Sequence, residues 1–148
     1  MTLALSKAPH LALVDDDAHS ARLLARTLAA QGAPRVEWLG DAGEARRRLA
    51  ERLAAPHGER PGLLIVDLKA NSAATRDFIA DIAERAAAAR LPIVAIVPDT
   101  GAAERQPLLA AGASAVFRRE AEREAYRREA ASIVNFWARS QRLDTVGM

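Results

Sequence analysis

Two short apolar runs in this chain end abruptly in acid. Leu11-Ala12-Leu13-Val14 runs into Asp15-Asp16-Asp17, and Leu63-Leu64-Ile65-Val66 runs into Asp67. If the runs are neighbouring strands, Asp15, Asp16 and Asp67 converge on one pocket. Unpaired, those carboxylates repel, and at least one pKa must rise. A hard divalent cation relieves the repulsion: Mg²⁺ takes oxygen ligands, keeps several waters, and is typically held by one or two carboxylates plus a phosphoryl group. A metal beside a carboxylate that can attack phosphorus is the minimum machinery for an aspartyl phosphate. The competing reading is structural, because aspartates after strands cap helices and form turns. Asp17 is read as such a cap, whereas a doubled acid after one strand and a second strand closed by Asp67 favour a site.

The elements that must position these residues are legible in the pattern. Leu11–Val14 reads as a buried strand, followed by a helix over Ala18–Gln31, with Leu23, Leu24, Thr27 and Leu28 at helical spacing and Gly32 as its stop. Arg35–Leu39 alternates as a second strand, and Asp41 opens a second helix through Leu53. Pro56–Gly62 is a turn-rich loop before the strand Leu63–Asp67. A third helix over Ala73–Arg90 turns Phe78, Ile79 and Ile82 inward, and Leu91–Val97 is a fourth strand. A short helix starting near Pro107 ends at Gly112, Ala113–Phe117 is a fifth strand, and Glu120–Arg142 is one long last helix. Continuous apolar strands alternating with helices indicate a parallel sheet covered on both faces, a doubly wound α/β fold. In such a sheet, function gathers at the carboxyl ends of the strands, where Asp15, Asp16 and Asp67 stand.

Composition removes several classes. The 148 residues fit one domain, 1–148, and no linker, repeat or low-complexity segment interrupts them. Without cysteine there is no disulfide, thiolate nucleophile or thiolate metal site. No apolar run approaches the ~20 residues of a membrane helix. Met1–His10 lacks the apolar core of a signal peptide, so a cytoplasmic location is expected. The formal charge is only +2, and the arginine clusters Arg46–Arg48 and Arg118-Arg119 lie close to glutamates, which argues against nucleic-acid binding.

At this level of detail the chain resembles a response-regulator receiver domain of two-component signalling. Leu11–Gly32 (LALVDDDAHSARLLARTLAAQG) resembles the first strand and helix, and Leu63–Leu68 (LLIVDL) the strand that carries the phosphoacceptor. Leu91–Val97 (LPIVAIV) and Ala111–Ala113 (AGA) are similar to the fourth strand and the stop before the fifth. The likeness covers about residues 10–135. It implies a flavodoxin-like (βα)5 fold with strand order 2-1-3-4-5. It also implies Mg²⁺ held by Asp15, Asp16, Asp67 and the Lys69 backbone carbonyl, with Asp67 as phosphoacceptor. The implied partners are a histidine kinase or phosphotransferase and a downstream protein target.

The departures are equally specific. Val97 stands where the family has a threonine or serine hydroxyl, and Val116 where it has an aromatic switch residue. Arg119 replaces the lysine after strand five; it keeps the charge but is longer and fork-shaped. Lys69 either places its ammonium in the acidic pocket, replacing part of the missing cationic contact, or points to water. His19 reads as a solvated first-turn residue. The last helix is longer than the family's, and Tyr126, Ala130, Ile133 and Trp137 form one stripe, with Phe136 beside it. Tyr126, Ile133, Phe136 and Trp137 are therefore a candidate surface for a homodimer or a partner.

Three functions follow from these features. The first is a stand-alone, atypical receiver that accepts a phosphoryl group on Asp67 and signals by protein contact; it is no enzyme beyond self-phosphotransfer and autodephosphorylation. The second is a pseudo-receiver that works without phosphorylation. The third, an aspartate-nucleophile phosphatase, rests on Asp15-x-Asp17 and leaves Asp67 without a clear role.

Overall fold

The computed structural model describes residues 9–146. The ends of the expected 1–148 span, and all but the last two residues of the Met1–His10 stretch, lie outside the described residues. Five strands, β1 (His10–Asp15), β2 (Arg35–Trp38), β3 (Leu64–Asp67), β4 (Ile93–Val97) and β5 (Ala115–Arg118), form one parallel sheet in the order β2-β1-β3-β4-β5. Five helices connect and flank them: α1 (Ala18–Ala30), α2 (Ala42–Ala54), α3 (Ala74–Ala88), α4 (Ala102–Ala111) and α5 (Arg123–Val146). This is the flavodoxin-like (βα)5 fold read from the sequence, with an extended last helix.

Side chains alternate across the strands, and the sheet therefore feeds two cores among the described residues. Ala12, Val14, Leu64, Val66 and Ala95 pack with Phe78, Ile79 and Ile82 of α3, Leu49 of α2 and Leu108 of α4. Leu11, Leu13, Ile65, Val94 and Ile96 pack with Leu24 and Leu28 of α1 and Ala130 and Ile133 of α5. β1 and β3 are buried throughout, so their apolar runs show no alternation.

Caps set the helix boundaries. Asp17 caps α1 by accepting the amides of His19 and Ser20, and Asp41 caps α2 by accepting that of Glu44. Gly112 stops α4 at a φ of +131°, and a Cβ there would meet Ala83 Cβ at 2.9 Å, so no other residue fits.

Several boundaries differ from the sequence reading. α4 begins at Ala102, five residues before Pro107, which lies inside the helix. Gly101 accepts the amides of Glu104 and Arg105 and so starts the helix early. Pro107 cannot donate to the Ala103 carbonyl, which costs one helical bond without ending the helix. Arg90 takes a φ of +57° and ends the α3 segment two residues after Ala88. Leu23, expected on the inner face of α1, is 38% exposed, because Ala21, Leu24 and Leu28 complete the buried face.

Candidate functional site

Register brings the acids together. β1 and β3 are neighbours, and Asp15 is the direct cross-strand partner of Asp67. Both sit at the carboxyl ends of their strands, and they are 0% and 4% exposed, respectively. Asp15 Oδ1 accepts the Asp17 amide at 2.9 Å and Lys69 Nζ at 2.7 Å, while Asp15 Oδ2 is buried without a hydrogen-bond partner. Burial pushes the Asp15 carboxyl above its ordinary value, and the Lys69 hydrogen bond opposes that shift.

Asp16 follows Asp15 but faces a different task. It is exposed, and its carboxylate accepts the backbone amides of Lys69, at 3.0 and 3.1 Å, and Ala70, at 2.9 Å. It thereby clamps the β3–α3 loop onto the end of β1. Thr75 clamps the same loop from the other side, its Oγ1 accepting the Leu68 amide at 3.1 Å. The loop so held turns Lys69 back over the strand ends. Its ammonium reaches Asp15 Oδ1 at 2.7 Å, Asp67 Oδ2 at 3.2 Å and the Asp67 carbonyl at 3.2 Å. Of the two orientations the sequence left open for Lys69, the structure has the one inside the acidic pocket.

Arg119 closes the other side. Its Nε and Nη2 donate to Asp67 Oδ1 at 3.1 and 2.6 Å. The Arg119 amide donates to the Val97 carbonyl, which ties the β5 end to the β4 end. Val97 is half-buried and lines, with Arg119, Thr75, Pro98 and Pro107, a groove of about 420 Å³ beside the acids. Val116, at 5% exposure, packs into the core as an ordinary aliphatic residue. On the far side of Asp67 and Arg119 lies Tyr126, its hydroxyl pushed up to about 12 by burial and by the Asp67 and Asp15 charges.

Taken together, the acids fit a divalent ion poorly. The donor chemistry is suitable, being carboxylate oxygen on strand ends. Yet the Asp16 oxygens face loop amides, both Asp67 oxygens face cations, and Asp15 Oδ1 faces Lys69. Among the described residues, no group of three or more His, Cys, Asp or Glu side chains is placed to hold a metal ion.

The remaining expected residues also have definite places. Asp17 is exposed and caps α1 through its Oδ1, as read from the sequence. His19 is exposed. Of the α5 stripe read as a candidate surface, Ile133 is 1% exposed, and Tyr126 and Trp137, with Phe136 beside them, are half-buried against the second core. The reason is that the chain entering β3 lies beneath it: a Cβ on Gly62 would stand 3.0 Å from Trp137 Nε1. Two residues of the site were missed in the sequence. Thr75 was hidden as one polar residue in an apolar helix face, and Trp38, whose indole N–H donates to the Asp15 carbonyl at 2.8 Å, read only as strand.

No protein-family model matches the chain. No curated protein matches it either. Solved structures do. The phosphorylated cyanobacterial phytochrome response regulator RcpA superposes with a TM-score of 0.71 at 22% identity, covering 89% of this chain and 95% of its own. The Mn²⁺-bound form of response regulator Rcp1 gives 0.70 at 19% identity, covering 88% and 94%. The fold is that of a response-regulator receiver. A third receiver, the chemotaxis protein CheY4 of Vibrio cholerae, gives 0.64 at 21% identity, covering 86% of this chain and 99% of its own. On this fold, Asp15 and Asp67 at the strand ends are paired with Lys69, and Asp67 also with Arg119.

Proposed function

We propose that this chain is a receiver-type signalling module that acts by protein contact without phosphorylation, a pseudo-receiver. One observation carries the reading: Lys69 and Arg119 between them engage both carboxylate oxygens of Asp67. A carboxylate so held is a poor nucleophile, since each hydrogen bond to a cation withdraws the charge that would attack phosphorus. Val97 adds to this, because it offers no hydroxyl to an incoming phosphoryl group. The partner surface would be a protein face in a two-component pathway, in the cytoplasm; among the described residues, no helix is long and apolar enough to cross a membrane.

A second reading is kept by the register of Asp15 and Asp67. In it, Asp67 is a phosphoacceptor served by a histidine kinase or phosphotransferase, and Mg²⁺ is held by Asp15, Asp16, Asp67 and the Lys69 carbonyl. The two readings separate on intact mass after incubation with Mg²⁺ and acetyl phosphate, with Asp67→Asn in parallel. The expected result is no phosphoryl adduct on either protein. An adduct on the wild type alone would overturn the first reading and identify Asp67 as the phosphoacceptor of the second. The α5 residues Tyr126, Phe136 and Trp137 remain a candidate contact for a second copy, and Ile133 acts from within the core.

A further inference from the structure

An ammonium group carries three protons, and the Lys69 ammonium has three oxygens around it: Asp15 Oδ1 at 2.7 Å, Asp67 Oδ2 at 3.2 Å and the Asp67 carbonyl at 3.2 Å. Two of these belong to acids that the strand register forces side by side. We infer that the Lys69 ammonium is a tethered cation that takes the place of a divalent metal ion in this pocket, and that it excludes one.

Three features support this. The ammonium lies between both buried carboxylates, where a single positive charge relieves their repulsion most. It is held there from its own backbone: Asp16 binds the Lys69 and Ala70 amides, so the acid next to Asp15 fixes the loop that carries the lysine. Arg119 supplies a second charge to Asp67 from the opposite side, leaving the three acids with one net negative charge. A divalent ion that entered would have to displace Lys69, bring its charge beside Arg119, and draw Asp16 off two amides. A tethered cation has the further advantage of a high effective concentration, since only side-chain rotation brings it to the site. The inference rests on the reading of the site as unphosphorylated, and it goes beyond that reading by assigning the cation.

The experiment is a calorimetric titration with MgCl2 of the wild type, Lys69→Ala, Lys69→Gln and Lys69→Arg, each checked for a cooperative melt. Wild type and Lys69→Arg are expected to give no saturable heat. Lys69→Ala and Lys69→Gln are expected to bind Mg²⁺ at least about tenfold more tightly than the wild type. Adding Asp15→Asn to Lys69→Ala is expected to remove that binding. Wild-type binding as tight as that of Lys69→Ala would overturn the inference, as would folded Lys69→Ala and Lys69→Gln that both fail to bind. The acetyl phosphate experiment fails separately. Metal binding by the wild type with no adduct would sink the tethered cation and leave the pseudo-receiver standing. An adduct on Asp67 in a wild type that binds no Mg²⁺ would do the reverse.

Discussion

Asp15 is the most deeply buried charge of the site, at 0% exposure, and its Oδ2 makes no hydrogen bond. A buried carboxylate is tolerated only when paired, and here the pairing is shared, because Lys69 also serves Asp67. Asp15→Asn removes the desolvated charge and keeps an oxygen for the Asp17 amide and for Lys69. The ammonium is not orphaned, since Asp67 stays beside it. The expected outcome at neutral pH is a gain of about 1 kcal/mol, read as a higher urea midpoint with an unchanged slope. A loss of stability would mean that the ion pair outweighs the desolvation of the acid.

At the scale of elements, α4 and α5 make opposite claims on the chain. Pro107 deprives the Ala103 carbonyl of its helical donor, and both residues line the groove beside Val97. Pro107→Ala restores that bond, and the expected gain is about 1 kcal/mol, the relief of the helix being partly offset by a freer unfolded chain. Far-UV circular dichroism should show α4 retained, and a destabilised variant would contradict this account. α5 depends on its inner face. Ile133→Ala is expected to cost about 2–4 kcal/mol, because Ile133 is 1% exposed and packs between α1 and the sheet. If α5 were chiefly a contact helix for a partner, the same substitution would barely move the thermal midpoint.

For the whole molecule, the stability of the fold is tied to pH at the edge of the sheet. His10 is 4% exposed and has Arg35, Glu37 and Arg52 around it, with Glu51 and Glu59 lining the same cleft. Burial, aided by Arg35 and Arg52 against Glu37, holds its pKa below the ordinary 6.5. Glu37, bonded to Arg52, is held below its ordinary 4.5. In both cases the unfolded chain binds protons first, so stability falls on acidification. The loss begins near pH 6.5 with His10 and gains a second contribution below pH 4.5 from Glu37. Urea denaturation between pH 7.5 and 5, a window set around the ordinary histidine pKa of about 6.5, should show the first part. His10→Gln should flatten it, and an equal slope in that variant would assign the loss elsewhere.

The strands and helices, the two-sided core and the place of the acids at strand ends follow from local signals in the chain, whereas the strand order was implied only by the likeness to receivers. Runs such as Leu11–Val14 and Leu63–Val66 are apolar without alternation, which only a strand buried on both faces requires. Asp17, Asp41 and Gly112 mark their helix boundaries by chemistry that acts within a few residues. Boundaries set by backbone alone were less legible: α4 starts at Ala102 after Gly101, with no side-chain cap, and its interior proline reads in the sequence as a beginning. What tertiary structure decided was contact between residues far apart in the chain. Lys69 is drawn inward because Asp16, more than fifty positions earlier, binds the loop that carries it. Trp137 is half-buried because Gly62 passes beneath α5. Residue types and spacing could place three carboxylates at one end of a sheet, but which cation meets them depends on where a loop and a strand end are held in space.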